Sequence, residues 1–282
     1  FSSRRRHTRY GTVTGVQTCA LPISTDPNTP DSKYVEFGKQ FPGVVRVQAK
    51  MKCDKPECQQ KEHTYSASAV VIRPHWILTA AHVLKDTHGQ TVVKDDGTEY
   101  PLQHAIVHGE YSDDNMGYHD LALAYSPKDF AMEFYTPLYT ETDELGKAIT
   151  IAGYGIHGTF KTGALESDGR RRAGHNVIES IERAVLVCTP SSGMKRLPLE
   201  FMIAPGDSGG GMFIGNKLAG INSFLMAADK NPNGTYGDES AFTRVSLYAD
   251  WINNQIEKYE LALKARSTTG PDVTLADAEV QP

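Results

Sequence analysis

A succession of short apolar runs narrows the fold of this chain more than any other feature of it. Among them are GVVRVQAK (43–50), SASAVVI (66–72), WILTAA (76–81), HAIVH (104–108), DLALAY (120–125), AITIAGYG (148–155), RAVLVC (183–188), GGMFI (210–214) and LAGINSF (218–224). Each is four to eight residues long, rich in Val, Ile and Ala, and bounded by Gly, Pro, Asp or Asn. Strands of that length with turn residues at both ends predict an all-β sandwich or barrel. The Asp96-Gly97 pair marks a hairpin. Asp95 and Asp96 therefore read as turn residues, since a calcium site needs six or more oxygens. Only one stretch carries a sustained helical period. Leu247, Trp251, Ile252, Ile256 and Tyr259 form one apolar stripe. They predict a C-terminal helix over about 247–260 that docks by burying Trp251.

A Pro-containing lead (25–32) precedes the strand-like runs, and a stretch with two prolines and many charges (126–146) interrupts them. That interruption divides the chain into halves of similar size, about 34–130 and 145–247, within one domain spanning 31–262. No repeat recurs at a fixed period. Beyond residue 263 the chain turns polar and acidic, predicting a disordered tail over 263–282. Residues 1–23 have no strand or helix period and resemble a translated sequencing-adapter read. Segment 1–30 is accordingly expected to be artefactual or disordered, with any genuine export signal lost from view. A signal peptide needs an apolar core after the basic run, and Gly11 to Thr18 is too polar for one. A twin-arginine signal fails likewise, and a nuclear-localisation reading of Arg4-Arg5-Arg6 rests on a run common by chance.

The net charge of −5 offers no basic face, so no nucleic-acid partner is expected. No apolar stretch reaches the ~18 residues of a membrane span. Gly169 to Arg172 reads as a solvated surface loop, with a cleavage-prone or partner-steering loop as its functional alternative. With Cys19 set aside, Cys53 and Cys58 of CDKPEC are first read as a local disulfide. Free thiols are the alternative, and zinc with His63 falls one ligand short of a structural site. Cys188 reads as a buried free thiol. No metal or cofactor is required.

The chemistry concentrates in APGDSGGG (204–211), where Ser208 stands among glycines directly after Asp207. A serine hydroxyl needs a base within reach, and the base needs an orienting carboxylate. LTAAHV (78–83) offers His82 among small residues, and Asp120 opens an apolar strand. Alone, each has a structural explanation; together, in the order His, Asp, Ser, they are far more specific.

These motifs resemble those of trypsin/chymotrypsin-like serine proteases. Thr79-Ala80-Ala81-His82, Asp120-Leu121-Ala122-Leu123 and Gly206-Asp207-Ser208-Gly209-Gly210 match the three family motifs. IVHGEY (106–111), IAGYG (151–155), GINSF (220–224) and FTRVSLYADWI (242–252) add support, so the resemblance covers roughly 33–259. It implies two six-stranded antiparallel β-barrels with a C-terminal helix and the site in the cleft between them. It implies Ser208 as nucleophile, His82 as base, Asp120 as its orienter, and the amides of Gly206 and Ser208 as oxyanion hole. Ser223 would help hold Asp120. Phe224 would lie along the substrate backbone, and Met202, Leu225 and Ser240 would line the first substrate pocket. Polypeptide substrates, protein inhibitors and a secreted or periplasmic location follow from the same resemblance. His119 alternates to the face opposite Asp120 and receives no chemistry.

The chain departs from the family at several points. There, the carboxylate preceding the serine pairs with an amine freed by cleavage. This chain shows Lys33-Tyr34-Val35-Glu36-Phe37-Gly38 where the new terminus would stand. Asp207 is expected to pair with a side chain, Lys33 or His63, or with backbone donors, and activation is expected without the usual cut. Apolar Val83 and Ala67 replace a family disulfide, and Ala204 replaces a frequent cysteine. Met202 and Leu225 predict a pocket for a small or medium apolar side chain. A one-residue shift would instead put Glu239 there and favour a basic one. Two alternative functions remain: a protease-like binding module without turnover, and an esterase using the same three residues.

Overall fold

The computed structural model describes residues 22–52, 61–114, 118–191 and 197–269. Cys53, Cys58 and residues 1–21 lie outside the described residues. The chain opens with β1 (Pro22–Thr25) and α1 (Asp31–Gly38). The first half supplies β2 (Val44–Lys52), β3 (Glu62–Arg73), β4 (Trp76–Thr79), the one-turn α2 (Ala81–Leu84), β5 (Thr87–Val93), β6 (Glu99–Pro101), β7 (His104–Val107) and β8 (Ala122–Tyr125). Its strands form an antiparallel sheet in the order β6-β5-β2-β3-β4-β8-β7.

The second half supplies β9 (Ala148–Gly153), β10 (Ile156–Thr159), β11 (Gly163–Glu166), β12 (Arg172–Val177), β13 (Ser180–Glu182), β14 (Val185–Cys188), β15 (Phe201–Met202), β16 (Gly211–Ile214), β17 (Lys217–Ala227), β18 (Asp238–Arg244) and α3 (Ala249–Thr269). Its main sheet runs β12-β9-β16-β17-β18-β14-β13. The expected pair of curled antiparallel sheets is present, each with seven strands rather than six among the described residues. A small third sheet, β11-β10-β1-β15, was not expected.

Alternation explains the first sheet. Val45 and Val47 on β2 and Ala67, Ala69 and Val71 on β3 turn inward to a core that also holds Trp76, Leu78 and Leu123. Val83 and Ala67, which replace a disulfide, sit in that core, so burial substitutes for the cross-link. Cys188 is buried and free, as expected. The 126–146 connection carries no strand or helix apart from a bridge from Leu138 to Leu218.

Some expectations need adjusting. Residues 22–30 belong to the fold: β1 pairs in parallel with β10 and antiparallel with β15, and Thr25 and Asp26 are buried. Gly169 to Arg172 is a solvated loop only as far as Arg170, which is exposed. Arg172 is fully buried at the head of β12 and ion-paired to Asp31 (2.6 Å) and Asp168 (2.8 Å). Arg171 is also buried, donating to the carbonyls of Gly38 and Val44 and to Asp95. Asp95 and Asp96 are turn residues as expected, within the turn closed by Gly97 N–H to Lys94 O. Asp95 in addition joins the halves by accepting from the Tyr154 hydroxyl, and Asp96 accepts from Thr98 N–H. Finally, α3 runs to Thr269, past the expected end at 260. Its anchors are Ile252 and Ile256, with Glu260 accepting from the Trp76 indole at 3.1 Å; Trp251 stays half-buried. No helix of the described residues is long and apolar enough to cross a membrane.

Candidate active site

β4 ends at Thr79 and the chain turns into α2, which carries His82 into the space between the sheets. Its Nδ1 lies 2.8 Å from Asp120 Oδ2, and its backbone N–H donates to Asp120 Oδ1 at 3.0 Å. The Ser223 hydroxyl donates to the same Oδ2. Thr243 of β18 donates to the Asp120 carbonyl at 3.0 Å. Two residues of the second half thus fix Asp120 of the first, Ser223 at its carboxylate and Thr243 at its backbone carbonyl. Asp120 is buried, which by itself favours the neutral acid. The charge and hydrogen bond of His82, with the Ser223 bond, outweigh this and hold the carboxylate below its ordinary range. Burial would likewise lower His82, but Asp120 overcomes it and raises the imidazole above its ordinary value.

Ser208 sits on a loop tied to both sheets. Ser68 N–H donates to the Ser208 carbonyl at 2.8 Å, and Gly209 N–H donates to Asn222 O at 2.8 Å. Asn222, buried on β17, donates its amide to the carbonyls of Asp207 and Ala152. Ser68, on β3, bridges further: its hydroxyl donates to Gly206 O (2.7 Å) and accepts from Tyr154 N–H (2.9 Å). Close approach makes glycine necessary at 209, where φ is +80° and a Cβ would fall 1.9 Å from Thr79 Oγ1. Gly206 adopts φ +93°, a left-handed conformation that favours glycine. The N–H groups of Gly206 and Ser208 donate to no backbone acceptor among the described residues. Serine 68 and Asn222 escaped the sequence reading. Their signal was a small polar residue inside a buried strand, which must satisfy its hydrogen bonds locally.

Asp207 is wholly buried. Its Oδ1 accepts from Gly155 N–H and its Oδ2 from Ala204 N–H, each at 2.9 Å. Among the described residues no cation pairs with it. Lys33 and His63 are exposed, so of the two expected partner types the backbone donors are present and the side chains are not. Burial pushes the carboxyl up to about 7, against the pull of the two amides and the more distant Arg172 charge.

Met202 is fully buried on β15, and Ile203 N–H donates to Ser240 Oγ at 3.2 Å. Leu225 stands opposite Ser240 and Met226 opposite Glu239. Strand alternation sends Glu239 to the face opposite Ser240, away from Met202. The two metal-capable groups among the described residues are His108, Glu110 and His119, and Asp31, His157 and Asp168.

Comparison with known proteins places this geometry. The trypsin family model matches residues 38–252, and the chain belongs to the family of trypsin-like serine proteases. Brachyurin of Leptuca pugilator is 27% identical over 211 residues, covering 68% of this chain and 88% of that protein. An inactive CLIP domain-containing serine protease A8 of Anopheles gambiae is 25% identical, over 79% of this chain and 66% of its own length. The solved structure of mouse neuropsin, a serine protease, shares the fold with a TM-score of 0.60 at 19% identity, over 82% of this chain and 98% of that one.

Proposed function

We propose that the protein is a serine endopeptidase that hydrolyses peptide bonds through His82, Asp120 and Ser208. The observation that carries this is the double hold of Asp120 on His82, at Nδ1 and at the backbone N–H, with Ser223 completing the carboxylate. Held so, the imidazole keeps Nε2 free for the serine. Ser208 Oγ attacks the substrate carbonyl while its proton passes to His82. The tetrahedral oxyanion settles against the N–H groups of Gly206 and Ser208. Collapse expels the amine, which takes its proton from His82, and leaves an acyl-enzyme that water hydrolyses by the same path. No cofactor takes part.

Asp207 satisfied by two amides supports a site formed without a liberated N-terminal amine, so the uncut chain is the active form. Cutting at Lys33 changes activity less than tenfold; a rise of a hundredfold or more contradicts this. Met202, Leu225 and Ser240 give a pocket for small or medium apolar side chains, and profiling on a peptide library tests it: dominant cuts after Arg or Lys reject it. The location that goes with such a protease is secreted or periplasmic.

One observation favours a second reading, a binding module without turnover. Among the described residues the Ser208 hydroxyl makes no hydrogen bond to His82. Such bonds often tighten only with substrate. Ser208→Ala separates the readings: it abolishes peptide hydrolysis in a protease and leaves peptide binding by a module unchanged.

A further inference from the structure

His119, directly before Asp120, lines an open cavity of about 700 Å³ together with His108, Glu110, Tyr248 and Trp251. A ring nitrogen of each histidine and a carboxylate oxygen of Glu110 all lie within 4.8 Å of one another. The imidazoles stack with centroids 4.9 Å apart at 19°. Trp251 packs on His108 at 4.8 Å, and Tyr248 stands edge-on to both imidazoles. His119 Nδ1 meets the Tyr248 hydroxyl at 3.1 Å and the Glu110 carboxylate at 3.5 Å. Glu110 N–H donates to His108 Nδ1 at 3.3 Å. The half-buried rings are thus held on one side of the cavity with a carboxylate at its mouth.

We propose that His108, His119 and Glu110 bind a zinc-class divalent cation and that its binding slows the reaction at Ser208. Two imidazoles and one carboxylate suit a borderline metal, whereas calcium and magnesium want oxygen donors throughout. The cationic rim does not oppose the metal strongly. Arg244 is paired with Glu144 at 2.7 Å, and Arg183 lies over the Tyr118 ring. In the other cluster, Asp31 and Asp168 already hold Arg172, which a metal would have to displace.

The link to the catalytic residues is geometric. Metal–ligand bonds of about 2.0–2.2 Å require the three donors to draw together, to roughly 3.3 Å apart in a tetrahedral shell. His119 sits at φ +57°, with its carbonyl accepting from Leu121 N–H at 2.7 Å. Pulling its ring moves the backbone on either side of Asp120, whose carboxylate must stay aligned on His82. The binding half of the proposal stands by itself; the slowing half rests on the protease reading.

The test is calorimetric titration of the full chain with zinc chloride, with calcium chloride as contrast. The variants are His108→Asn, His119→Asn and Glu110→Gln, each checked for fold by circular dichroism. Asparagine tolerates the left-handed backbone at 119, and the Glu110 side chain is 73% exposed, so these changes preserve the fold. The expected result is zinc binding that each variant weakens at least tenfold, with no calcium binding that the variants affect. Zinc also slows fluorophosphonate labelling of the wild type at least fivefold, a chelator restores it, and in each variant the zinc concentration that halves the labelling rate rises at least tenfold. No zinc binding, or binding equally tight in all three variants, overturns the site. Binding at the site with an unchanged labelling rate overturns the slowing. Absence of labelling in every form overturns the protease reading and the slowing with it, while the calorimetry still decides the site.

Discussion

Asp207 and Asp120 are both buried carboxylates, yet their surroundings push them apart. Asp120 faces an imidazole and a hydroxyl and stays charged; Asp207 has two amides and rises to about 7. A carboxyl raised on folding binds protons that the unfolded chain releases. Its contribution to stability is therefore whole below about 4 and is lost as the pH climbs through about 7. Melting temperature measured from pH 4 to 8 is expected to fall more steeply in the wild type than in Asp207→Asn; parallel profiles contradict the assignment. Asp120 raises His82, so hydrolysis is expected to fail on the acid side at a pH above that of an ordinary imidazole. Asp120→Asn lowers the rate by about 10⁴ and shifts that limb downward, as a pH–rate profile will report. The residues of this site were legible because Ser, His and Asp sit in short motifs that mean little singly and much in order. Ser68 and Asn222 were not, because their roles depend on which backbone groups the other sheet brings to them.

At the scale of elements, α1 is held to the second half by Arg172 on Asp31, by Arg171 on the Gly38 carbonyl and by the Tyr34 hydroxyl on the Glu200 carbonyl. Arg172 is buried, while its partners Asp31 and Asp168 are 33% and 25% exposed. Arg172→Met should cost about 2 kcal/mol, measured by urea unfolding, because Asp31 and Asp168 lose their buried cation and keep only the exposed Arg170. A cost below 1 kcal/mol contradicts the role given to that pair. The sequence hid this: a triple-arginine run reads as a surface feature, and only the fold reveals that two of the three point inward. The C-terminal helix shows the opposite case. Its stripe was plain in the 3.6-residue period, but which members bury was decided by the position of Trp76. Ile252→Ala and Ile256→Ala should each cost about 2–5 kcal/mol by the same measurement, the usual range for emptying a buried aliphatic site.

The two large sheets meet at the site, and a second junction joins Arg171 and Tyr154 to Val44 and Asp95. Ser68, Thr79 and Asp120 from the first half meet Tyr154, Ser208, Ser223 and Thr243 from the second. The strand rhythm announced an all-β fold, and the family resemblance implied its two sheets. The rhythm could not announce the third, because pairing of β1 with β10 and β15 joins segments with no shared pattern. The proposed role of the uncut chain as an active protease is direct to test. Incubate the intact chain with a fluorophosphonate probe and locate the adduct by peptide mass spectrometry. A single adduct on Ser208, absent from His82→Ala, is the predicted result. A folded chain that takes up no probe, or reacts equally well without His82, contradicts it.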